Sequence, residues 1–209
     1  MPTALFIALA LVPIGLGFAA RFWLGRTFSA AGAVFVQSGI TASQAAARLL
    51  EASRCSGISV EAVEGELTDH YDPGTHSVRL SERVAESSSV GALAVAAHEV
   101  GHAAQDRDGE RVFRVQRAFV PVATFSSHGW LIAIAAGLFL ESAGLVALAL
   151  VLVATVAAFH VATLPVELDA SRWALSLLAT EGILGESELP VAHRVLRAAA
   201  LTYVVAALT

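Results

Sequence analysis

Hydrophobic residues occur along this chain in long uncharged runs that flank a polar middle segment. No charged residue occurs within 3–20, 118–140 or 142–166. Each run reaches the roughly 18–20 residues that a helix needs to cross a hydrocarbon core of about 30 Å. The three runs therefore predict transmembrane helices, whereas a fourth apolar stretch at 198–209 is too short to span a bilayer alone.

The first run is predicted to be a retained anchor, at 3–24, rather than a cleaved signal peptide. It lacks a preceding basic region. Arg21 and Arg26 also follow it where a cleavage site would require small residues.

The polar middle segment has the residue pattern of a small α+β unit. Thr41–Ser53 carries a capping residue and apolar positions at helical spacing, and Ile58–Val63 alternates as a strand does. Asp72–Thr75 is a turn signal between two extended runs, which predicts a β-hairpin. One of the serines at 87–89 can cap a helix over Val90–Gln105. The first half of that helix is apolar on all sides, so it is expected to be buried.

Composition and charge exclude some classes of function. Charged residues make up 15% of the chain, against about 25% in an ordinary soluble domain, and hydrophobic residues 56%. Residues 37–117 hold 8 Arg and 12 acidic residues, so this segment lacks the basic patch that nucleic acid requires. Cys55 is the single cysteine, which excludes an intrachain disulfide, and it is expected to be a small buried apolar residue.

The placement of arginine predicts the orientation in the membrane. Arg21 and Arg26 follow the first run and four arginines within 107–117 precede the second, while the turn between the second and third runs contains only Glu141. Basic residues favour the cytoplasmic side, so the polar segment is expected in the cytoplasm. The third run then returns the chain near Pro165, where a new helix is expected to begin.

The strongest chemical signal is an H-E-x-x-H motif formed by His98, Glu99 and His102. Residues four apart lie on the same helix face, so both imidazoles can bind one metal ion. Glu99 follows the first histidine and can hold a metal-bound water. The motif thus supplies two zinc ligands and a general base.

A catalytic zinc ion needs a third protein ligand, and the segment after Pro165 offers two carboxylates. Glu167 is the favoured candidate and Asp169 its competitor. On a helix the two are about 200° apart, so they cannot face the same metal ion.

Several stretches resemble the YugP-like zinc metallopeptidases of bacterial membranes, in order and spacing across nearly the whole chain. The resemblance implies a zinc peptidase of the bacterial inner (plasma) membrane. The stretches that carry it are Leu67–Pro73, Ala97–Gln105, Leu164–Ser171 and Ala199–Val204.

A more distant resemblance is to the membrane gluzincins that include the HtpX and CAAX-processing proteases. In those proteins the third ligand is a Glu, and an Asp four residues later supports a zinc-ligating histidine. Glu167 fits the ligand position, but Ser171 stands where that Asp would be. The supporting group is therefore expected to be weaker or to be another residue, and Asp169 is in doubt for that role.

Together these features predict a mainly α membrane protein with about three to four transmembrane helices and a small cytoplasmic α+β zincin-like domain, formed by the motif helix and a β-hairpin. One integrated catalytic unit is expected. Its parts are an anchor at 3–24, a zincin-like segment at 37–117, a transmembrane hairpin at 118–166, and a third-ligand helix with an apolar segment at 167–209.

The predicted reaction is zinc-assisted hydrolysis of peptide bonds, with one Zn²⁺ per chain at the cytoplasmic membrane face. Zinc lowers the pKa of its bound water to about 7 and polarises the scissile carbonyl. Glu99 would take the proton of the water and deliver it to the leaving amine. Expected partners are a protein or peptide substrate, for which a membrane protein is one candidate, and the lipid bilayer. The residues that could contact substrate or stabilise the oxyanion, among which the sequence does not choose, are His70, Tyr71, Arg172, His193 and Tyr203.

Two alternatives remain open. The protein could be a zinc-binding membrane scaffold or chaperone-associated factor without catalysis, or a metal-dependent hydrolase of a non-peptide bond. The presence of Glu99 argues against a scaffold, because a structural zinc site needs four protein ligands and no base.

Overall fold

The computed structural model describes the backbone of residues 2–66 and 68–208, and the side chains of residues 15, 17–66 and 68–205. Within these residues the chain is mostly helical and includes one small sheet. The helices are α1 (Pro2–Gly32), α2 (Ala42–Ala52), α3 (Glu82–Ala85), α4 (Val90–Arg107), α5 (Arg111–Phe139), α6 (Ala143–Thr180) and α7 (Leu189–Leu208), and the strands are β1 (Ser59–Val63), β2 (His70–Asp72) and β3 (Ser77–Ser81).

The helices of the middle segment begin at the residues that their capping signals predict. Thr41 caps α2 through a complete capping box with Gln44, and Ser89 accepts a hydrogen bond from the backbone N–H of Ala92 at the start of α4. Both caps satisfy backbone N–H groups that have no partner within the helix. The first half of α4 is almost entirely buried, as its apolar sequence predicts.

The predicted β-hairpin is confirmed, and it belongs to a three-stranded sheet with the order β1-β3-β2. Strands β2 and β3 pair antiparallel across the turn, with Tyr71 opposite Val78. The predicted first strand pairs with β3 in parallel, with Val60 opposite the same Val78. Because β3 is central, β2 is an edge strand, and its outer side lies against α4.

Two helices of the described part of the chain, α5 and α6, are long and apolar enough to cross a membrane. They form a hairpin, since a short turn with Glu141 in a left-handed conformation (φ 51°) joins them. The predicted anchor at 3–24 falls within α1, where the side chains of residues 2–14 and 16 lie outside the described residues. The last side chains of the fourth apolar stretch, 206–209, lie outside them as well.

The prediction that Pro165 begins a new helix is wrong. Pro165 lies inside α6, which continues across it without a break to Thr180. Neighbouring helices can compensate for the missing backbone N–H of a proline in an apolar helix, and α6 packs against α4, α5 and α7. One helix therefore joins the apolar run to the carboxylates that follow it.

Helices α4 and α6 cross closely at Gly101. A Cβ atom on Gly101 would lie 2.9 Å from the carbonyl oxygen of Ala170 and 3.2 Å from its Cα atom. Both residues are buried, so the two backbones are nearly in contact at this point. This crossing lies between the two motif histidines in sequence and faces the segment of α6 that contains Glu167.

Candidate metal centre

The structure places His98, His102 and Glu167 together in a single cluster. Nε2 of His98 lies 3.2 Å from Oε2 of Glu167, and Nε2 of His102 lies 3.6 Å from the same oxygen. One ligating atom from each residue lies within 4.8 Å of the other two. In the described part of the chain, these three residues form the group of His, Cys, Asp or Glu side chains that is close enough together to hold a metal ion.

Each motif histidine is oriented through its other ring nitrogen. In the tautomer that leaves Nε2 unprotonated, Nδ1–H of His98 donates to Oγ of Ser171 at 3.2 Å, and Nδ1–H of His102 donates to Oε1 of Gln105 at 3.0 Å. Gln105 is itself held, since its amide N–H donates to the carbonyl oxygen of Val166 at 3.1 Å. Such contacts fix the ring orientation and the tautomer of metal-binding histidines.

The spacing of these atoms fits a zinc ion. Bonds of about 2.0–2.1 Å in a tetrahedral arrangement place neighbouring ligand atoms about 3.3 Å apart. The two separations from Oε2 of Glu167, 3.2 Å and 3.6 Å, lie close to that value. Two histidines and one glutamate are also a ligand set of catalytic zinc sites, in which the fourth position stays open.

The electrostatics of the cluster favour a cation at the point where the three residues meet. Burial lowers the pKa of His102, but hydrogen bonding to Glu167 and the charges of Glu99 and Glu167 outweigh it and raise the pKa to about 9. The same carboxylates that raise the pKa of His102 would therefore also attract a metal cation to this point. Metal binding would displace a proton from His102, because imidazole ligates only in its unprotonated form.

Glu167, rather than Asp169, faces the cluster. Glu167 is buried, and its second oxygen accepts a hydrogen bond of 3.4 Å from the amide of Gln116 on α5. Asp169 lies on the exposed side of α6, where it pairs with Arg172 at 3.0 Å. The angle of about 200° between the two positions on a helix accounts for this difference.

Glu99 is buried beside the cluster and is held by the sheet. The backbone N–H of Tyr71, on edge strand β2, donates to Oε2 of Glu99 at 2.9 Å. Among the described hydrogen bonds none involves Oε1 of Glu99, so this oxygen is available for a water or a substrate. The β-hairpin thus positions the carboxylate that the motif assigns as a general base.

Tyr71 is one of the residues that the sequence offered for contact with the oxyanion. It reaches Glu99, beside the cluster, through its backbone N–H rather than through its hydroxyl. The hydroxyl donates to Oδ2 of Asp106 at 3.0 Å, and Arg117 donates to the other oxygen of that carboxylate. Burial and the hydrogen bond to Asp106 raise the pKa of Tyr71. The hydroxyl therefore stays protonated and donates to Asp106, which is not one of the three clustered residues.

Tyr203 on α7 is the candidate that the structure brings beside the cluster. Burial raises the pKa of Tyr203 most strongly, and the negative charges of Glu167 and Glu99 act in the same direction. The hydroxyl thus stays protonated and can donate a hydrogen bond. Its ring also packs edge-to-face on His160 of α6, with centroids 6.0 Å apart.

The other three candidates do not meet the cluster. The ring of His70 is exposed and lies 2.6 Å from the carbonyl oxygen of Thr68, next to its own strand. Arg172 is 75% exposed and lies five residues beyond Glu167, which is about 140° around the helix. His193 is exposed near the start of α7. For these residues an oxyanion role has no geometric support.

Two side chains that contact the candidate ligands were not identified from the sequence. These are Gln105, which contacts His102, and Gln116, which contacts Glu167. Gln105 lies three residues after His102, so helical spacing could have indicated that it contacts the histidine. Gln116 precedes the second apolar run by two residues, and only the packing of α5 on α6 brings it to Glu167.

Similarity to known proteins extends over nearly the whole chain. The family model described as "Putative neutral zinc metallopeptidase" matches residues 6–209. The chain is also 39% identical over 204 residues to "Putative membrane protease YugP" of Bacillus subtilis (strain 168), covering 98% of this chain and 91% of that protein. No solved structure matches the chain.

Proposed function

The chain belongs to the putative neutral zinc metallopeptidase family, and from this premise we propose that it is a zinc-dependent endopeptidase that cleaves peptide bonds at the cytoplasmic face of the plasma membrane. The observation that carries the proposal is the convergence of three ligands with a separate, oriented carboxylate. His98, His102 and Glu167 would hold the metal, and Glu99 stands beside them without being one of the three.

The residues around the site support a hydrolytic reaction. When bound, zinc would activate a water and polarise the scissile carbonyl. Glu99, oriented by the backbone of Tyr71, would accept a proton from the attacking water and return it to the leaving amine. The protonated hydroxyl of Tyr203 would donate a hydrogen bond to the oxygen that gains negative charge.

The depth of the cluster supports a membrane-associated substrate. On α5, Gln116 lies two residues before the uncharged run 118–140, and on α6, Glu167 lies one residue after the run 142–166. At about 1.5 Å per residue, both positions are within about 3 Å of an apolar boundary. Both α5 and α6 thus place the cluster next to the end of an apolar run, at the expected bilayer surface. We therefore propose that the substrates are segments of membrane proteins close to that surface.

The test is removal of the base without removal of the ligands. We expect Glu99→Gln to retain about one zinc per chain and to lose activity by about a hundredfold or more, since general-base catalysis contributes about 10²–10⁴-fold. Purified protein in detergent would be assayed with fluorescein-labelled casein, and zinc would be measured by elemental analysis. The matched control is Glu82→Gln, which removes an exposed carboxylate distant in sequence from the motif.

Equal activity of the wild type and Glu99→Gln would contradict the proposed mechanism. A wild type that binds zinc but releases no labelled peptide would favour the scaffold alternative. Comparing membrane proteomes of cells with the wild type and with Glu99→Gln would then identify substrates as proteins that accumulate in the variant.

A further inference from the structure

A groove lies between α1 and α7, at the end of α1 that meets the catalytic helices. It encloses about 470 Å³, and we call it the α1–α7 groove. Its inner wall includes Ala31, whose Cβ atom faces Gly91 in the first turn of α4. The groove is separate from the metal cluster, because its lining contains no ligand or neighbour of that cluster. The lining side chains used below are Phe22, Trp23, Arg26 and Arg194.

The lining of the groove combines cationic and aromatic side chains. Arg26 from α1 and Arg194 from α7 both line it, and the guanidinium of Arg26 lies 5.6 Å from the ring centre of Phe22. Neither arginine forms an ion pair with a carboxylate in the described part of the chain. The groove therefore offers two unneutralised positive charges in a protein whose net charge is −5.

The position of these residues corresponds to the lipid headgroup region. The uncharged run of α1 ends at residue 20, so Arg26 lies about 9 Å further along the helix, beyond the hydrocarbon boundary. Phe22 and Trp23 are 67% and 45% exposed and lie between that boundary and the arginine. Aromatic residues favour this interfacial depth, and arginines there bind phosphate through paired N–H donors.

We propose that the α1–α7 groove binds the headgroup of an anionic glycerophospholipid. Arg26 and Arg194 hold the phosphate, while Phe22 and Trp23, which lie nearer the hydrocarbon boundary, contact the glycerol and upper acyl chain. Charge complementarity selects an anionic lipid over a zwitterionic one, since a zwitterionic headgroup carries its own cation. This site is independent of zinc and of peptide hydrolysis.

The experiment uses the full chain, purified in a neutral detergent and titrated with phosphatidylglycerol or phosphatidylcholine, with bound lipid counted by native mass spectrometry. We expect one tightly retained phosphatidylglycerol per chain. Arg26→Gln with Arg194→Gln should weaken it by about a hundredfold or more, since both arginines lose their charge-assisted hydrogen bonds to the phosphate. The control pair, Arg21→Gln with Arg197→Gln, makes the same charge change on the same helices outside the groove.

Equal loss of lipid in the control pair, or equal retention of phosphatidylcholine by the wild type, would overturn the proposal. So would displacement of the bound lipid by millimolar inorganic phosphate, which would identify a site for free anions. Zinc content is measured in every variant, and an unchanged value shows that the groove variants are folded. Because zinc and peptidase activity are read separately, failure of the lipid site and failure of the proposed function are distinguishable.

Discussion

At the residue scale, the candidate ligands are held in place by neutral side chains rather than by charges. Ser171 and Gln105 contact the Nδ1 atoms of the two histidines, and Gln116 contacts Glu167. Neutral partners orient a ring without adding negative charge, so the negative charge at the cluster comes from Glu167 and the neighbouring Glu99. We infer that these contacts mainly orient the candidate ligands and add little to the basicity of the histidines.

Removal of Gln105 tests this orienting role. We expect Gln105→Ala to weaken zinc binding by about 10–100-fold, because His102 loses the contact that fixes its tautomer and because α4 loses a bond to Val166. The measurement is competition with a chelator of known zinc affinity. Gln37→Ala, at an exposed glutamine outside the cluster, is the matched control. Wild-type affinity in Gln105→Ala would show that His102 needs no support from this residue.

The choice between the two carboxylates of α6 gives a second prediction at this scale. Glu167→Ala should lose zinc almost completely at micromolar metal, since only two ligands remain. Asp169→Ala should keep about one zinc per chain, because Asp169 pairs with Arg172 on the exposed side of the helix. Elemental analysis of both purified variants decides between them. Zinc lost from Asp169→Ala and retained in Glu167→Ala would reverse the assignment.

At the element scale, the site depends on how closely α4 and α6 approach each other. The candidate third ligand, Glu167, lies 69 residues after His98 in sequence, on a different helix. Gly101 permits the backbones to meet, and Ala170 is the small residue opposite it. The approach of the two helices sets the distance from Glu167 to both histidines. The geometry of the candidate metal centre therefore depends on Gly101 having no side chain.

A methyl group at Gly101 is therefore expected to disturb both folding and metal binding. Gly101→Ala would place Cβ 2.9 Å from the carbonyl oxygen of Ala170, and overpacking of this kind costs about 1–3 kcal/mol. We expect a lower unfolding temperature and zinc affinity at least about tenfold weaker. The control is Gly25→Ala, at a helical glycine with no atom within 4 Å of the added Cβ. If both variants behave alike, the close crossing is not what sets the ligand geometry.

At the scale of the whole molecule, a polar α+β unit is joined to apolar helices, and the candidate centre lies at their junction. From the polar side, helix α4 contributes His98, Glu99 and His102, and strand β2 holds Glu99 through a backbone hydrogen bond. Helices α5 and α6 contribute Gln116 and Glu167 at the ends of their apolar runs. In the proposed membrane arrangement, a substrate would meet the site at the level of the membrane surface.

The orientation of this arrangement is open to direct test. In a Cys55→Ala background, we expect cysteine at Leu140, in the turn after α5, to react from outside intact cells with an impermeant thiol reagent. Cysteine at Glu82, on the exposed surface of the polar unit, should react only after permeabilisation. The physical reason is the excess of arginine beside the polar unit. The opposite labelling would place the candidate centre outside the cell.

Local sequence signals predicted much of the fold. Capping residues located the starts of α2 and α4, the turn at Asp72–Thr75 located the hairpin, and uncharged length identified α5 and α6. Sequence reasoning failed at Pro165, where it predicted a helix start inside α6. A proline signals the loss of one backbone hydrogen bond, and whether a helix continues past it depends on packing that the local sequence does not contain.

The sequence by itself determined the two histidines and the base of the candidate centre, because four-residue spacing on one helix sets their geometry without help from other elements. Only the tertiary structure decided which carboxylate joins them, that Ser171, Gln105 and Gln116 hold the ligands, and that Tyr203 rather than His70, Arg172 or His193 lies beside them. These groups come from α4, α5, α6 and α7. Their distances depend on how helices far apart in sequence pack, and no local pattern specifies that packing.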